Sequence, residues 1–388
     1  MKALPLILLL SILIQSHLGF CTVDGSNVVK EHEFLVSYEK KGDVSKAELQ
    51  ERNRKLATVA LHDIQAYKIV YNTINTDGSP ITASGLLLLP VADKVLPLLS
   101  LQHGTITEET RAPSYFRANN EIYTTGAVFA SSGFAVSVPD YIGYGASSNL
   151  PHPYEHAQSL ATAGRDMLRA VKEFCQSKEI PLSEQLFISG YSEGGYASMA
   201  LMKLLEEKHA DEFNIAACAP GGGAYDKVGF ARYILAKDRS LKFINSYLWV
   251  LDTYNRVYGL DRPVSAFLKE PYATTVEKSG VHATVETNPS KLFTTAFKTG
   301  VLNDTDQELL KTISDNNIYD WKPKAPLKLF HGTDDDYVPF FNAQHAYDAM
   351  KARGASKVWL QPIEKGDHFS SSQSYVKGVF EFFSRYVE

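Results

Sequence analysis

Cysteine is nearly absent: Cys21, Cys175 and Cys218 are the only three in 388 residues. So small and scattered a set excludes a disulfide framework. Cys218 falls inside the strand-like run "NIAACAPG", so buried and inert thiols are expected at 175 and 218. Positive charge is short as well, with 39 Lys and Arg against 44 Asp and Glu, a net charge of −5. No basic stripe marks a nucleic-acid partner, and a small molecule or a neutral polymer fits better. No cysteine–histidine pair has metal-site spacing, so neither metal nor cofactor is expected. Internal repeats and low-complexity tracts are missing too. Long apolar runs are confined to "LPLILLLSILI", Leu4 to Ile14, preceded by Lys2. That run is short for a bilayer span and reads as the core of an export signal, residues 1–21. A secreted, periplasmic or extracellular protein is therefore expected. "LGFC" loosely matches a lipoprotein cleavage site, which leaves a lipid anchor through Cys21 as the alternative.

What the chain does have is apolar mass, 44% hydrophobic and 11% aromatic residues, enough for a large core. "AYKIVYNTI" and "ITASGLLLLP" flank the turn signal "NTDGSP" and predict an antiparallel hairpin, after a polar leader. Strand and helix patterns then alternate. Short apolar strands such as "LPLLSLQHG" and "GFAVSVPDY" precede a helix in which Leu160, Ala163, Met167, Ala170 and Val171 share one face. Strands that are apolar on both sides predict a mostly parallel sheet with helices on both faces, an α/β fold. The alternation stops over residues 225–321, a helix-rich stretch read as a cap inserted between two parts of the core, 22–224 and 322–388. Its aromatics (Tyr233, Phe243, Tyr247, Trp249, Tyr254) are expected to form a small core of their own. "PGGGAY", Pro220 to Tyr225, is expected to be a flexible passage into it.

The chemistry concentrates at "LFISGYSEGG". A serine hydroxyl is a weak nucleophile unless a base takes its proton, and it must also project from the scaffold. A sharp strand-to-helix turn does this, and the small residues Gly190 and Gly194 around Ser192 suit such a turn. The helix that follows leaves the amide of Glu193 unsatisfied, aimed where negative charge develops in acyl transfer. "HGTDDDYVP" ends a later strand with three consecutive aspartates, a like-charge cluster that needs one member paired. "EKGDHFS" places His368 on a loop before the last helix. "LQHGT" ends an early strand with Gly104 and Thr105. Asp140 in "PDYIGYG" is read as building a structural turn rather than a phosphate loop.

"LQHGT", "VPDYIGYGAS", "HPY", "GYSEGG" and "HGTDDDYVP" together resemble the α/β-hydrolase superfamily, and within it the secretory lipases and their bacterial relatives. The resemblance runs from the hairpin to the C-terminus. It implies a carboxylic-ester hydrolase with a helical lid, acting on a small-molecule or lipid ester with transient contact at a lipid interface. It also implies roles. The order Ser192, Asp335, His368 is the order nucleophile, acid, base in that fold. Asp335 occupies the acid position of G-x-x-D-x-x-V-P counted from Gly332, leaving Asp334 and Asp336 to solvent. The second oxyanion amide falls on Thr105, with Gly104 as the alternative, beside that of Glu193. Two other readings stand. One is a peptidase of the same fold, with Glu193 as half of an acidic pair gripping an amine; the other is a binding protein that has lost turnover.

Overall fold

Residues 32–388 are described by a computed structural model. The expected export signal and Cys21 lie outside them. The described residues build one sheet of nine strands: β1 (Leu35–Val44), β2 (Ile64–Ile74), β3 (Pro80–Pro90), β4 (Leu96–Gln102), β5 (Ala135–Pro139), β6 (Leu182–Tyr191), β7 (Asn214–Gly221), β8 (Leu327–Gly332) and β9 (Val358–Ile363). Their spatial order is β1-β2-β3-β5-β4-β6-β7-β8-β9. β2 and β3 form the expected hairpin, in register from Ile64 opposite Pro90 to Ile74 opposite Pro80. The strands from β5 to β9 pair in parallel, with β4 between β5 and β6. β1 lies within the segment read as a polar leader. Between its two buried end residues its side chains are exposed or half-buried, so no apolar alternation announces it. It is an edge strand rich in lysine, which suits an edge that must not recruit another chain.

Thirteen helices accompany the described strands. α1 (Lys46–Arg52), α2 (Thr125–Ser131), α3 (Ala157–Ser177) and α4 (Glu193–Lys208) precede a run of seven between β7 and β8. These seven are α5 (Lys227–Leu235), α6 (Ile244–Val257), α7 (Val264–Phe267), α8 (Tyr272–Ser279), α9 (Pro289–Leu292), α10 (Thr295–Leu302) and α11 (Gln307–Ser314). α12 (Phe341–Ala352) and α13 (Ser371–Phe383) complete the set. One apolar cluster joins the sheet to α3, α4 and α12, another joins it to α1, α2 and α13, so both faces are covered. The five face residues named for α3 are all buried. A third cluster belongs mainly to α5–α11 and includes Val338 of the core. Asp226 starts α5 by accepting the Gly229 N–H at 2.8 Å, which satisfies one of the open amides of a helix start. Cys175 and Cys218 are free and buried, and burial pushes the Cys175 thiol up to about 12. No helix among the described residues is long and apolar enough to cross a membrane.

The fold is tightest where β6 turns into α4. A Cβ on Gly194 would stand 2.1 Å from the Gln102 carbonyl oxygen, and one on Gly195 would stand 2.2 Å from that of Gly221. The end of β7 is thus pressed onto the turn, and the Gly221 carbonyl accepts the Ser192 N–H at 2.9 Å. "PGGGAY" is therefore not a flexible passage. It is buried throughout, its glycines serving close backbone approach rather than mobility. Tyr375 of α13 clamps the same turn from the other face, its hydroxyl accepting from the Gly190 N–H at 2.9 Å. Gly194→Ala should destabilise the protein by about 1–3 kcal/mol, since backbone cannot retreat as a side chain can. Gly164→Ala in α3 would meet only side-chain ends, at 3.3 Å and beyond, so its penalty and the helix-propensity gain should cancel to within about 1 kcal/mol. Urea midpoints of the two variants check the contrast.

Candidate active site

Ser192 sits between β6 and α4 with φ 61° and ψ −123°, a conformation rarely tolerated outside glycine and held only where packing dictates it. The crowding by Gln102 and Gly221 supplies that packing. As a result the hydroxyl leaves the line of the strand and meets His368, whose Nε2 lies 2.9 Å from Ser192 Oγ. His368 stands on the loop between β9 and α13, buried to 2% exposure. Its backbone oxygen accepts the Tyr191 hydroxyl at 2.7 Å, which ties this loop to the residue before the serine.

The other imidazole nitrogen, Nδ1, donates to Asp335 Oδ2 at 2.7 Å. Asp335 Oδ1 accepts the N–H groups of Tyr337 and Val338 at 3.0 and 2.8 Å. Of the three consecutive aspartates only the middle one is buried; Asp334 and Asp336 face solvent. Burial alone would raise the Asp335 carboxyl, but hydrogen bonding from His331 and His368 outweighs it and holds the group down at about 2. His331 Nε2, 3.4 Å from Asp335 Oδ2, is itself held by the Val338 carbonyl at 2.7 Å. Asp335 is thus a carboxylate fixed on both oxygens.

At the mouth of β4, the Gly104 N–H donates to Glu121 Oε1 at 2.8 Å. That bond occupies the alternative oxyanion donor and leaves Thr105 as the candidate. The Thr105 hydroxyl lies 2.9 Å from that of Tyr154. The loop itself is cross-braced by His103, which stacks on Tyr141 with centroids 4.1 Å apart. Asp140 builds the neighbouring turn, accepting the Ser114 N–H at 2.8 Å and the Ser84 hydroxyl at 2.6 Å.

Ser192 lines an apolar cavity. Its far walls come from α5–α11, with Phe230, Ile234, Leu235, Leu251, Phe293 and Phe297 among the lining residues. The aromatics of this segment do not simply form a core of their own. Tyr247 and Tyr254 line the cavity, Phe243 stacks on Tyr337 with centroids 3.8 Å apart, and Trp249 stacks on Tyr154 at 4.3 Å. Residues between β7 and β8 carry no strand pattern of their own, so their sequence gave no hint of which face meets the serine.

Two further carboxylates border the site, and both are paired. Glu155 bonds the ammonium of Lys227, which also lies 4.0 Å over the Tyr196 ring. Burial pushes the Glu155 carboxyl up and the Lys227 ammonium down, with their mutual attraction opposing both. Glu193 Oε1 lies 2.8 Å from His152 Nε2, the two side chains 1% and 3% exposed. Sequence reasoning missed His152, His331, Glu155 and Lys227, because nothing in their spacing connects them to the serine.

Comparisons with known proteins bear on the family and the fold. A curated secreted triacylglycerol lipase of Malassezia furfur is 23% identical over 324 residues, 77% of this chain. The match spans 66% of that lipase, just under two thirds of its length. Among solved structures, a Legionella pneumophila protein described as a hydrolase superposes with a TM-score of 0.82 at 29% identity, covering 91% of this chain and 98% of its own. LipA of Xanthomonas oryzae, a rice cell wall degrading esterase, gives 0.81 at 24% identity, with 92% and 100% covered. Candida antarctica lipase A in its closed state gives 0.63 at 17%, with 89% and 83% covered. The last two likenesses speak to the α/β-hydrolase fold. The model of the secretory lipase family matches residues 120–377, a stretch that contains the serine turn, all of α5–α11, the Asp335 turn and the His368 loop. Carrying that whole arrangement in one continuous match, the chain belongs to the secretory lipase family.

Proposed function

We propose that this protein is an exported serine hydrolase that cleaves carboxylic esters with apolar acyl groups through an acyl-enzyme. The observation that carries the reading is the unbroken hydrogen-bond chain from Ser192 through His368 to Asp335 at the mouth of an apolar cavity. Ser192 Oγ attacks the ester carbonyl while its proton passes to His368 Nε2. The oxyanion so formed accepts from the amides of Glu193 and Thr105. Asp335 holds the imidazole in the tautomer that accepts at Nε2 and stabilises the imidazolium. The imidazolium then protonates the departing alkoxide, which leaves as the alcohol. Water, losing a proton to the same nitrogen, releases the carboxylic acid and restores Ser192.

The cavity favours an acyl chain over a sugar or an amine, since its cap-side walls are mainly aliphatic and aromatic. Export is supported by the signal-like residues 1–21 and by the family's secretory character. A peptidase reading finds less support. The acidic side chains nearest the serine, Glu193 and Glu155, are already bound to His152 and Lys227 and leave no open carboxylate pair to grip an amine.

Ser192→Ala should abolish labelling by a fluorophosphonate probe and lower kcat on p-nitrophenyl esters by about 10⁴-fold or more, as removal of the nucleophile leaves only the remaining site. Labelling that persists in this variant would assign another nucleophile. Across an ester series from acetyl to long acyl chains, kcat/KM should rise with chain length; a preference for acetate would contradict the apolar pocket. Asp335→Asn should lower kcat by about 10³–10⁴-fold. Because the folded Asp335 carboxyl titrates near 2, below its usual 3.8, its stabilising effect is full above about pH 4 and fades as pH falls toward 2. Native protein should therefore exceed the variant by about 2–3 kcal/mol at neutral pH, a margin that shrinks below pH 4 in denaturant titrations.

A further inference from the structure

Glu193 poses a problem of sign. Its amide is the one proposed to receive the negative charge of the tetrahedral intermediate, yet its own side chain is a carboxylate of the same sign, buried and out of reach of solvent screening. An open carboxylate one residue from the nucleophile would oppose the charge that the amide stabilises. His152 answers this. Its Nδ1 lies 2.7 Å from the carbonyl oxygen of Ile142, and a carbonyl can only accept, so Nδ1 carries a proton. Its Nε2 lies 2.8 Å from Glu193 Oε1, and a bond at that distance requires one more proton between the two atoms. Whichever side holds that proton, the outcome is the same: imidazolium with carboxylate, or imidazole with carboxylic acid, sums to zero charge.

We propose that His152 and Glu193 form an obligate charge-neutral pair, and that His152 is a positioning residue which keeps the oxyanion-donating residue free of net charge. The surroundings are shaped to hold this ring. A Cβ on Gly143 would stand 2.5 Å from both the nitrogen and Cα of His152, so only glycine lets that turn close over it. Tyr144 and Trp249 pack on the imidazole with centroids 4.9 and 5.5 Å away, and Tyr141 lies parallel to it at 6.0 Å. Trp249 comes from α6, so the helical segment over the site also seals the pair from water. The ionisable groups beside it are the hydroxyls of Tyr141, Tyr144 and Tyr154, together with Glu155, which Lys227 neutralises.

The inference rests on the acyl-transfer reading, and two readouts separate the failure of one from that of the other. Ester turnover by native protein tests the reading. The rate of fluorophosphonate labelling also develops charge at the oxyanion amides and reports on the pair whichever ester is accepted. His152→Gln leaves Glu193 charged beside a neutral amide, and should lower kcat and the labelling rate by about 30-fold or more, somewhat less than the roughly 10²–10³-fold cost of removing an oxyanion-hole donor outright. KM should stay within about threefold, because ground-state binding does not involve this charge. Adding Glu193→Gln to that variant removes the charge again and should restore at least about tenfold of the loss. A purely structural role predicts the opposite, since a second substitution in the same cage adds damage. The proposal is overturned if His152→Gln stays within threefold of native, or if the double variant is no faster than the single one. Should thermal melting show that His152→Gln does not fold, the double variant decides alone: folded and within about tenfold of native supports the pair, and a greater loss overturns it.

Discussion

Everything at this site depends on three backbone segments meeting without side chains between them. The ends of β4 and β7 press on the turn after β6 at distances that exclude a Cβ at Gly190, Gly194 and Gly195. That contact fixes Ser192 in an otherwise disfavoured conformation, and the strain is sustained by the sheet on one side and Tyr375 on the other. Loosening the contact would let the serine relax into the helix and swing its hydroxyl off the imidazole. The same contact brings Gln102, His103 and Gly104 of the β4 loop against the serine turn. Ser192 and the turn proposed to supply an oxyanion donor are positioned by one packing event rather than several.

Around this point the protein buries charge at a density that would be costly if any member were alone. Each carboxylate has a cationic or proton-donating partner. Asp335 is held by His368, His331 and two amides, Glu155 by Lys227, and Glu193 by His152. Two of these pairs involve neither Ser192, His368 nor Asp335. Under the proposed mechanism, they would leave its electrostatics to the few groups that touch the substrate. The helical segment takes part, since α5 contributes Lys227 and α6 contributes Trp249. It is joined to the acid turn as well, through Tyr247, whose hydroxyl donates to the Tyr337 carbonyl at 2.8 Å.

The parts legible in the sequence were those where chemistry and backbone constrain neighbouring residues. The serine turn showed because small residues must flank it within a few positions, and the parallel strands showed because both of their faces are apolar. Asp335 needed a pattern from relatives, since three identical side chains in a row offer no choice on composition; the buried side of the turn makes the distinction. β1 stayed hidden because only its end residues, Leu35 and Val44, join the core. "PGGGAY" was misread because glycine serves mobility and close packing alike, and only the neighbour at Gly195 tells them apart. The pairing of Glu193 with His152, 41 positions apart, has no local signature at all. The aromatics of α6 join the core of their own helices, as Tyr247 and Tyr254 do, and also face the sheet core, because helical periodicity does not say which neighbour a face meets.

A covalent bond between Ser192 and the acyl group is the step on which the whole scheme turns, and it can be observed directly. Protein quenched in acid during turnover of a slow ester, digested and examined by mass spectrometry, should carry the acyl mass on the peptide that contains Ser192. Turnover with no such adduct, or with the adduct on a different residue, would contradict it.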